Sequence, residues 1–318
     1  MVCIKKIILA VILTVFFCTG NIKSQTLTVY NFLKLDVDAR SAALAGSYVS
    51  MEDDANLIFY NPAGISTITS PKASAGFFKY LLDINSGNIA YAQKYKDYGY
   101  FGIGIRYVNY GTFDGFDENY NSTGTFTASD FALSLGYANN YKNIINYGVN
   151  LKFIDSKYDV YSSAALALDF GLFYKIPDQN FNLGISCLNL GTQIKSYMDT
   201  KENLPLDLRL GFSKKLEHLP LTLSVGFCKL NEDYDKFFSR FRNLLIGGEF
   251  VVSDYVDFRV GYNNAERQDL QTGSSLGISG FSAGLGIKYD AYSLDYAFNS
   301  LGKIGSTHRI NIGYNFKK

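Results

Sequence analysis

The sequence predicts an all-β fold: a 14-stranded antiparallel transmembrane β-barrel with an N-terminal hatch segment in its lumen. Three observations predict it. First, from residue 73 onward apolar and polar residues alternate with period two. FGIGIRY sets Phe101, Ile103, Ile105 and Tyr107 against Gly102, Gly104 and Arg106. LDLRLGF sets Leu206, Leu208, Leu210 and Phe212 against Asp207, Arg209 and Gly211, and VDFRVGY repeats the pattern around Asp257 and Arg259. Strict alternation marks strands with one apolar and one polar face. Second, fourteen such segments begin near residues 73, 86, 99, 125, 144, 163, 180, 206, 220, 241, 256, 281, 291 and 308. Most run about 8 to 13 residues, close to the roughly 9–11 that a tilted membrane-crossing strand needs and above the five or six usual in soluble domains. Third, the connections alternate in length. The short ones are 96–98, 139–143, 177–179, 253–255 and 290, with 214–219 somewhat longer. Between them fall 111–124, 156–162, 191–205, 231–240, 263–280 and 299–307. Short periplasmic turns alternating with longer outside loops, on an even strand number, form the outer-membrane pattern. The connection 83–85 departs from it, being short where an outside loop belongs.

Two segments precede the barrel of residues 73–318. Residues 1–24 read as a secretory signal peptide: Lys5 and Lys6, an apolar run from Ile7 to Cys18, then TGNIKS, with Ser24 at the cleavage point and Gln25 opening the mature chain. The run is too short for a comfortable transmembrane helix. Phe17 stands before Cys18 where a lipoprotein signal wants a small residue, so no lipid anchor is expected. Residues 25–72 do not alternate and form the hatch or plug. Their small-residue stretch DARSAALAGSYVS opens on Asp38, a candidate helix cap. Glu52, Asp53 and Asp54 lack the alternate-position ligands of a Ca²⁺ loop, so they are expected to be solvated or to pair with lumen Arg and Lys.

Composition and motifs exclude several functions. With 30 Lys+Arg against 29 Asp+Glu the formal net charge is +1, which leaves no footprint for a nucleic-acid partner. The 25 Tyr and 25 Phe supply interfacial girdles for contact with outer-membrane lipid, although Trp is absent. Arg106, Lys152, Asp169, Asp207, Arg209, Asp257, Arg259 and Asp295 fall on inward positions. Both signs occur, which predicts pairing with one another and with the plug rather than a one-sign selectivity filter. After cleavage only Cys187 and Cys228 remain, on opposite faces of non-adjacent strands, so both are expected as free thiols. His218 lies in a short turn and His308 opens the last strand, and no nucleophile motif accompanies either. Glycine-rich runs such as SLGISGFSAGLGIKY belong to strands and are not phosphate loops. The sequence therefore assigns no catalytic, cofactor-binding or metal residue, and the chain reads as a non-enzyme exported to the outer membrane of a Gram-negative bacterium. The last strand ends on Ile310, Ile312, Tyr314 and Phe316, an aromatic C-terminal strand suited to barrel assembly.

FLKLDVDARSAALAGSYVS followed by DDANLIFYNPAGIS (residues 32–66) resembles the opening of the PorV/PorQ family, outer-membrane proteins of the type IX secretion system in Bacteroidetes. Within it Asn61, Pro62, Ala63 and Gly64 also resemble the hatch of FadL-type fatty-acid channels, which marks these four as a structural motif. Further segments resemble the PorQ branch: LNLGTQIKSY, LPLDLRLGFSKKLEHLPLTLS, LIGGEF, VDFRVGYNNAERQDL and GISGFSAGLGIK. The resemblance implies a FadL-like barrel of fourteen strands and a non-enzymatic role. It implies that the chain holds a PorZ-like surface protein in the attachment complex with PorV and the sortase-like PorU. That complex cleaves the C-terminal signals of secreted cargo and fixes the cargo to the cell surface. Connections 111–124, 191–205, 231–240 and 263–280 are then the candidate docking surface, with Phe113, Phe116 and Tyr120 as aromatic anchors. The alternative is a FadL-like transporter for a hydrophobic compound, which needs a way past the hatch and an apolar pocket. A cargo shuttle of the PorV kind differs only in its partner. The mixed charges of the inward faces favour the anchor.

Overall fold

The computed structural model describes residues 28–316 except 143, 233–236 and 271–277. The expected leader, residues 1–24, lies outside them. Fourteen antiparallel strands close into one barrel in chain order. They are β1 (Lys72–Lys79), β2 (Asn85–Tyr95), β3 (Gly99–Phe116), β4 (Ser122–Tyr141), β5 (Ile145–Tyr158), β6 (Tyr161–Ile176) and β7 (Phe181–Lys195). The rest are β8 (Asp207–Lys215), β9 (Leu221–Phe227), β10 (Leu244–Val251), β11 (Val256–Asn263), β12 (Phe281–Tyr289), β13 (Tyr292–Ser300) and β14 (Ser306–Asn315). Closure runs from Lys72↔Asn315 to Lys79↔His308 between β1 and β14. A closed barrel leaves no strand edge in hydrocarbon, where an unpaired backbone group is costly. Each strand begins within three residues of its expected start. The alternation explains this accuracy: Phe101, Ile103, Tyr107, Ile310 and Ile312 are exposed on the outer face, while Arg106, Asp169 and Arg259 are buried inside.

Connections 96–98, 142–144, 177–180, 216–220, 252–255 and 290–291 share one end of the barrel with the start of β1 and the finish of β14. By their shortness this end faces the periplasm. The opposite end carries 80–84, 117–121, 159–160, 196–206 and 301–305, with the described parts of the connections from β9 to β10 and from β11 to β12.

Two expected loops are corrected. Residues 111–124 are mostly strand, since β3 and β4 continue to a tight turn at 117–121, and 156–162 reduces to a turn at 159–160. Above the lipid band neither face of a hairpin meets hydrocarbon, so alternation fades, and Gly111, Asp114, Gly115 and Gly124 read as loop. Cross-strand aromatic pairs sustain the sheet there: Phe113 on Phe126 at 5.3 Å and Phe126 on Tyr158 at 5.2 Å. A register shift between Asn109 and Thr112, with Gly111 at φ +88°, is a bulge that bends this extension. Strands β3 to β7 consequently form a tall wall and β8 to β14 a low one. Of the 263–280 connection, the short helix α2 (Asn264–Asp269) is described, whereas 271–277 lie outside the described residues.

Residues 28–71 traverse the lumen from end to end. Thr28 bridges Asn203 in the connection 196–206 at the outer end. The chain then forms α1 (Ala39–Ala43) and 3-10 turns at Ala55–Phe59 and Pro62–Thr67, and reaches β1 at the periplasmic end. Among the described residues no helix is long and apolar enough to cross a membrane.

Candidate functional site

The lumen is built from two different contacts between residues 28–71 and the wall. Against the tall wall the fit is steric. A Cβ on Gly171 would lie 2.1 Å from Asn61 Oδ1, and one on Gly148 2.5 Å from the Ala63 nitrogen, so only glycine admits the hatch backbone there. Asn61 precedes the Pro62–Thr67 turn: its Oδ1 accepts from the Ala63 N–H at 3.1 Å, and its Nδ2 donates to the carbonyls of Val49 at 2.9 Å and Leu172 at 3.0 Å. Pro62 fills the first turn, where its missing N–H costs nothing. Ala63 and Gly64 are buried, and a Cβ on Gly64 would meet Leu57 Cβ at 2.9 Å. These four residues thus occupy interior packing positions. Nearer the outer end, Tyr30 and Phe32 pack with Val108, Ala132, Ile154, Ala165 and Ala167, and the Tyr30 hydroxyl meets Ser163 Oγ at 2.5 Å.

Against the low wall the contact is ionic. Arg40 of α1 donates from Nε and Nη2 to the two oxygens of Glu249, both at 2.8 Å. Arg259 reaches Glu249 at 2.7 Å, Asp295 at 2.5 Å and Asp257 at 3.1 Å, and Lys288 adds to Asp257 at 2.6 Å. The acidic trio pairs elsewhere as well: Glu52 with Lys175 of β6 in the tall wall at 2.5 Å, Asp53 with Lys72 of β1 at 3.2 Å and Asp54 with Arg40 of α1 at 3.4 Å. Elsewhere Lys152 pairs with Asp169 at 3.0 Å and Arg209 with Asp207 at 2.7 Å. The expected mutual pairing of inward charges therefore holds, with Arg106 as the exception: among the described residues it makes no ion pair, and it stacks on Phe32 at 5.5 Å. Asp38 caps α1, accepting from the Ser41 N–H at 3.2 Å. Burial, and then the Asp54 carboxylate, push its own carboxyl up to about 7.

Sequence reasoning missed Arg40 and Glu249. The available signals were the lone basic residue of the DARSAALAG stretch and the acidic side chain at an inward position of LLIGGEFV. A cavity of about 340 Å³ opens beside this network at the periplasmic end, walled by Arg40, Lys72, Asp257, Lys288 and Asp295. A second, of about 20 Å³, lies deeper beside Arg106, Lys152 and Arg209.

The aromatic residues singled out for docking all stand at the outer rim, in a different setting from the expected loop. Phe113 and Phe116 belong to β3 and are 40% and 61% exposed, and Tyr120, in the turn, is 88% exposed. Asp117 shapes that turn by accepting the N–H groups of Asn119 and Asn121, both at 2.8 Å. Above Asn109, β3 pairs with β4 alone, because the pairing of β2 stops at Asn85. Cys187 and Cys228 are free thiols. His218 is exposed in the turn 216–220, and His308 faces outward with Nδ1 at 2.7 Å from the Tyr296 hydroxyl, so neither borders the lumen. Among the described residues no three His, Cys, Asp or Glu side chains are arranged to hold a metal ion.

No family model matches the chain, and no curated protein does. Solved structures do. The Pseudomonas putida toluene transporter TodX aligns with a TM-score of 0.61 at 13% identity, over 92% of this chain and 99% of its own. The Ralstonia pickettii toluene transporter TbuX aligns at 0.56 and 11%, and a Pseudomonas aeruginosa FadL homologue at 0.54 and 12%, each over 88% of this chain and 98% of the other. At such identities the likeness shows the fold: a closed 14-stranded barrel like the FadL-type barrels of the outer membrane.

Proposed function

We propose that this barrel is a plugged outer-membrane anchor that holds a surface partner, in the manner the PorV/PorQ resemblance implies. The partner would be a PorZ-like protein of the type IX attachment complex with PorU and PorV. The observation that carries the reading is the filled lumen: residues 28–71 span it from the outer to the periplasmic end. The cavity beside Arg106, about 20 Å³, is far below the roughly 150 Å³ that admits a benzene ring. The larger cavity has charged walls, unlike the apolar lining of a site for a hydrophobic compound. At the outer rim, Phe116 and Tyr120 offer exposed aromatic anchors beside the open upper edge of β3.

The second reading is a transporter for a hydrophobic compound, and the fold shared with toluene transporters favours it. A mild-detergent pull-down of the tagged barrel from outer membranes, followed by mass spectrometry, separates the two. The anchor reading expects a large surface β-protein to co-purify and to be lost from a Phe116→Ser/Tyr120→Ser variant that still assembles. Recovery of the barrel alone, with a deletion strain that secretes normally yet fails to grow on a hydrophobic nutrient, overturns the anchor and leaves the transporter.

A further inference from the structure

We propose that the upper edge of β3, from Thr112 to Phe116, takes up one extended strand of a surface partner protein, a strand in which apolar and basic residues alternate. The proposal rests on the anchor reading and names the contact that holds the partner. Up to Asn109, β3 lies between β2 and β4. Gly111 is still covered, since a Cβ there would lie 3.1 Å from Asp83 Cβ. From Thr112 to Phe116 the strand pairs with β4 on one side, and no described strand pairs with it on the other. Alternate residues of such an edge turn their N–H and C=O groups outward, the template that strand addition uses. Neither lysine nor proline, which commonly blunt an edge, occurs in TFDGF.

The side chains around the edge select the occupant. β4 keeps its register as it rises, so Phe126 lies on the same face as the inward Ala128 and Asp130. Phe113 on Phe126, and Phe126 on Tyr158, make an aromatic row on that face, and the row ends at the open edge with Phe113 and Tyr158 40% and 49% exposed. An apolar side chain of an added strand, set beside Phe113, continues the row as a cross-strand neighbour. Charge selects the residues between. Asp83, Asp114, Asp117 and Glu118 are exposed around the edge, and no Lys or Arg occurs from Tyr107 to Tyr141. The basic residues nearby in the wall, Lys79, Lys157 and Lys303, belong to β1, β5 and the connection 301–305, none of them next to β3 in the barrel order. A partner strand with Lys or Arg beside Asp114 is therefore favoured, and an acidic strand is repelled. A second copy of this chain does not fit. Barrel strands tilt by about 40°, so a two-fold axis along the membrane normal sets two β3 edges roughly 80° apart rather than alongside.

The test places the photo-cross-linker p-benzoylphenylalanine at Thr112, Phe113 or Phe116 of the full chain, with exposed Met198 and Ile304 on other outer connections as comparison positions. Intact cells are irradiated, the tagged barrel is recovered in mild detergent, and the linked residues are mapped by mass spectrometry. Strand addition expects all links from β3 to fall in one partner segment. The point of attachment should move along that segment step by step as the position moves along β3, and the segment should carry Lys or Arg opposite Asp114. Asp114→Lys, with its folded band intact on heat-modifiability gels, should lower the yield of linked product about tenfold. Links scattered over unrelated segments, or onto lipid or a second copy, overturn the proposal, and so does an undiminished yield in Asp114→Lys. A surface protein that co-purifies but links only from Met198 or Ile304 sinks strand addition and leaves the anchor standing. Recovery of the barrel alone sinks both.

Discussion

The tall and low walls of this barrel hold the same hatch by different physics. Along β3 to β7, the wall offers glycine and alanine, and the hatch main chain comes within contact of the strand backbone: Gly171 against Ala63, Gly148 against Pro62 and Ala63. Along β10 to β13, α1 also approaches closely, with Ala43 Cβ 2.5 Å from where a Cβ of Gly284 would lie, but Arg40, Glu249 and Arg259 bind the two parts together through charge. A steric fit excludes water and cannot re-form around another guest without moving backbone. An ionic contact beside a polar cavity can exchange one partner for another. The hatch is therefore held by shape at both walls, since a Cβ on Gly261 of β11 would lie 2.5 Å from the Ala45 nitrogen, while the buried ionic network is confined to the low wall, where loosening is expected to begin.

Filling a glycine of the tall wall should have the most severe consequence. Gly171→Val places a branched side chain whose Cβ would lie 2.1 Å from Asn61 Oδ1 and 2.8 Å from the Ala63 main-chain nitrogen, so hatch backbone as well as the Asn61 side chain must yield. Heat-modifiability gels should show loss of the compact folded band, while Leu172→Val, at an exposed outward position of the same strand, leaves it intact. Folded Gly171→Val at wild-type stability would refute the steric account. Next in size is Arg259→Leu at the low wall. It takes the cation from Asp295 and leaves Glu249 to Arg40 and Asp257 to Lys288, and breaking one side of a buried ion pair costs on the order of 3–5 kcal/mol. The barrel should still assemble, with a lowered midpoint and faster hydrogen exchange in α1 than in the Pro62–Thr67 turn. Equal exchange in both segments would count against loosening from the low wall.

How much of this was legible follows from where alternation has a cause. Lipid on one side and a filled lumen on the other impose period two, so strand starts and inward charges such as Arg209 and Arg259 could be read directly. Where the wall rises clear of the membrane that cause disappears, and Phe113 and Phe116 were placed in a loop although they belong to β3. The inward glycines were visible as a pattern, but nothing local says that Gly148 and Gly171 make room for Pro62 and Asn61. That relation joins segments far apart in sequence. Arg40 and Glu249 escaped for the same reason: they are separated by 209 positions and meet only once the barrel closes around α1.

A smaller effect separates shape from hydrogen bonding within the tall wall. Asn61→Ala keeps the backbone fit but leaves the carbonyls of Val49 and Leu172 without their donor and the Ala63 N–H without its acceptor. Stranding buried polar groups costs about 1–3 kcal/mol, so the midpoint should fall by less than in Arg259→Leu and the folded band should persist. A loss as complete as that of Gly171→Val would mean that the Asn61 side chain, rather than the glycine cradle, holds the hatch.

A pH slope tests the low wall separately. The Asp38 carboxyl is pushed up to about 7 by burial and by Asp54, with Asp295 adding to the rise and the Ser41 N–H and hydroxyl opposing it. An acid whose folded value lies above its unfolded value binds more protons in the native state, so stability falls as pH rises from about 4 to about 7 and is level above that. Asp36 of the hatch and Glu266 of α2 shift in the same direction through burial, so the wild-type slope has at least three sources. Asp38→Asn, which keeps a capping oxygen for the Ser41 N–H, should flatten the midpoint curve in that window without abolishing it. A slope unchanged in Asp38→Asn would assign the titration to Asp36 and Glu266, at other places on residues 28–71 and the outer rim, and would leave the low wall held by Arg40 and Arg259 independently of pH.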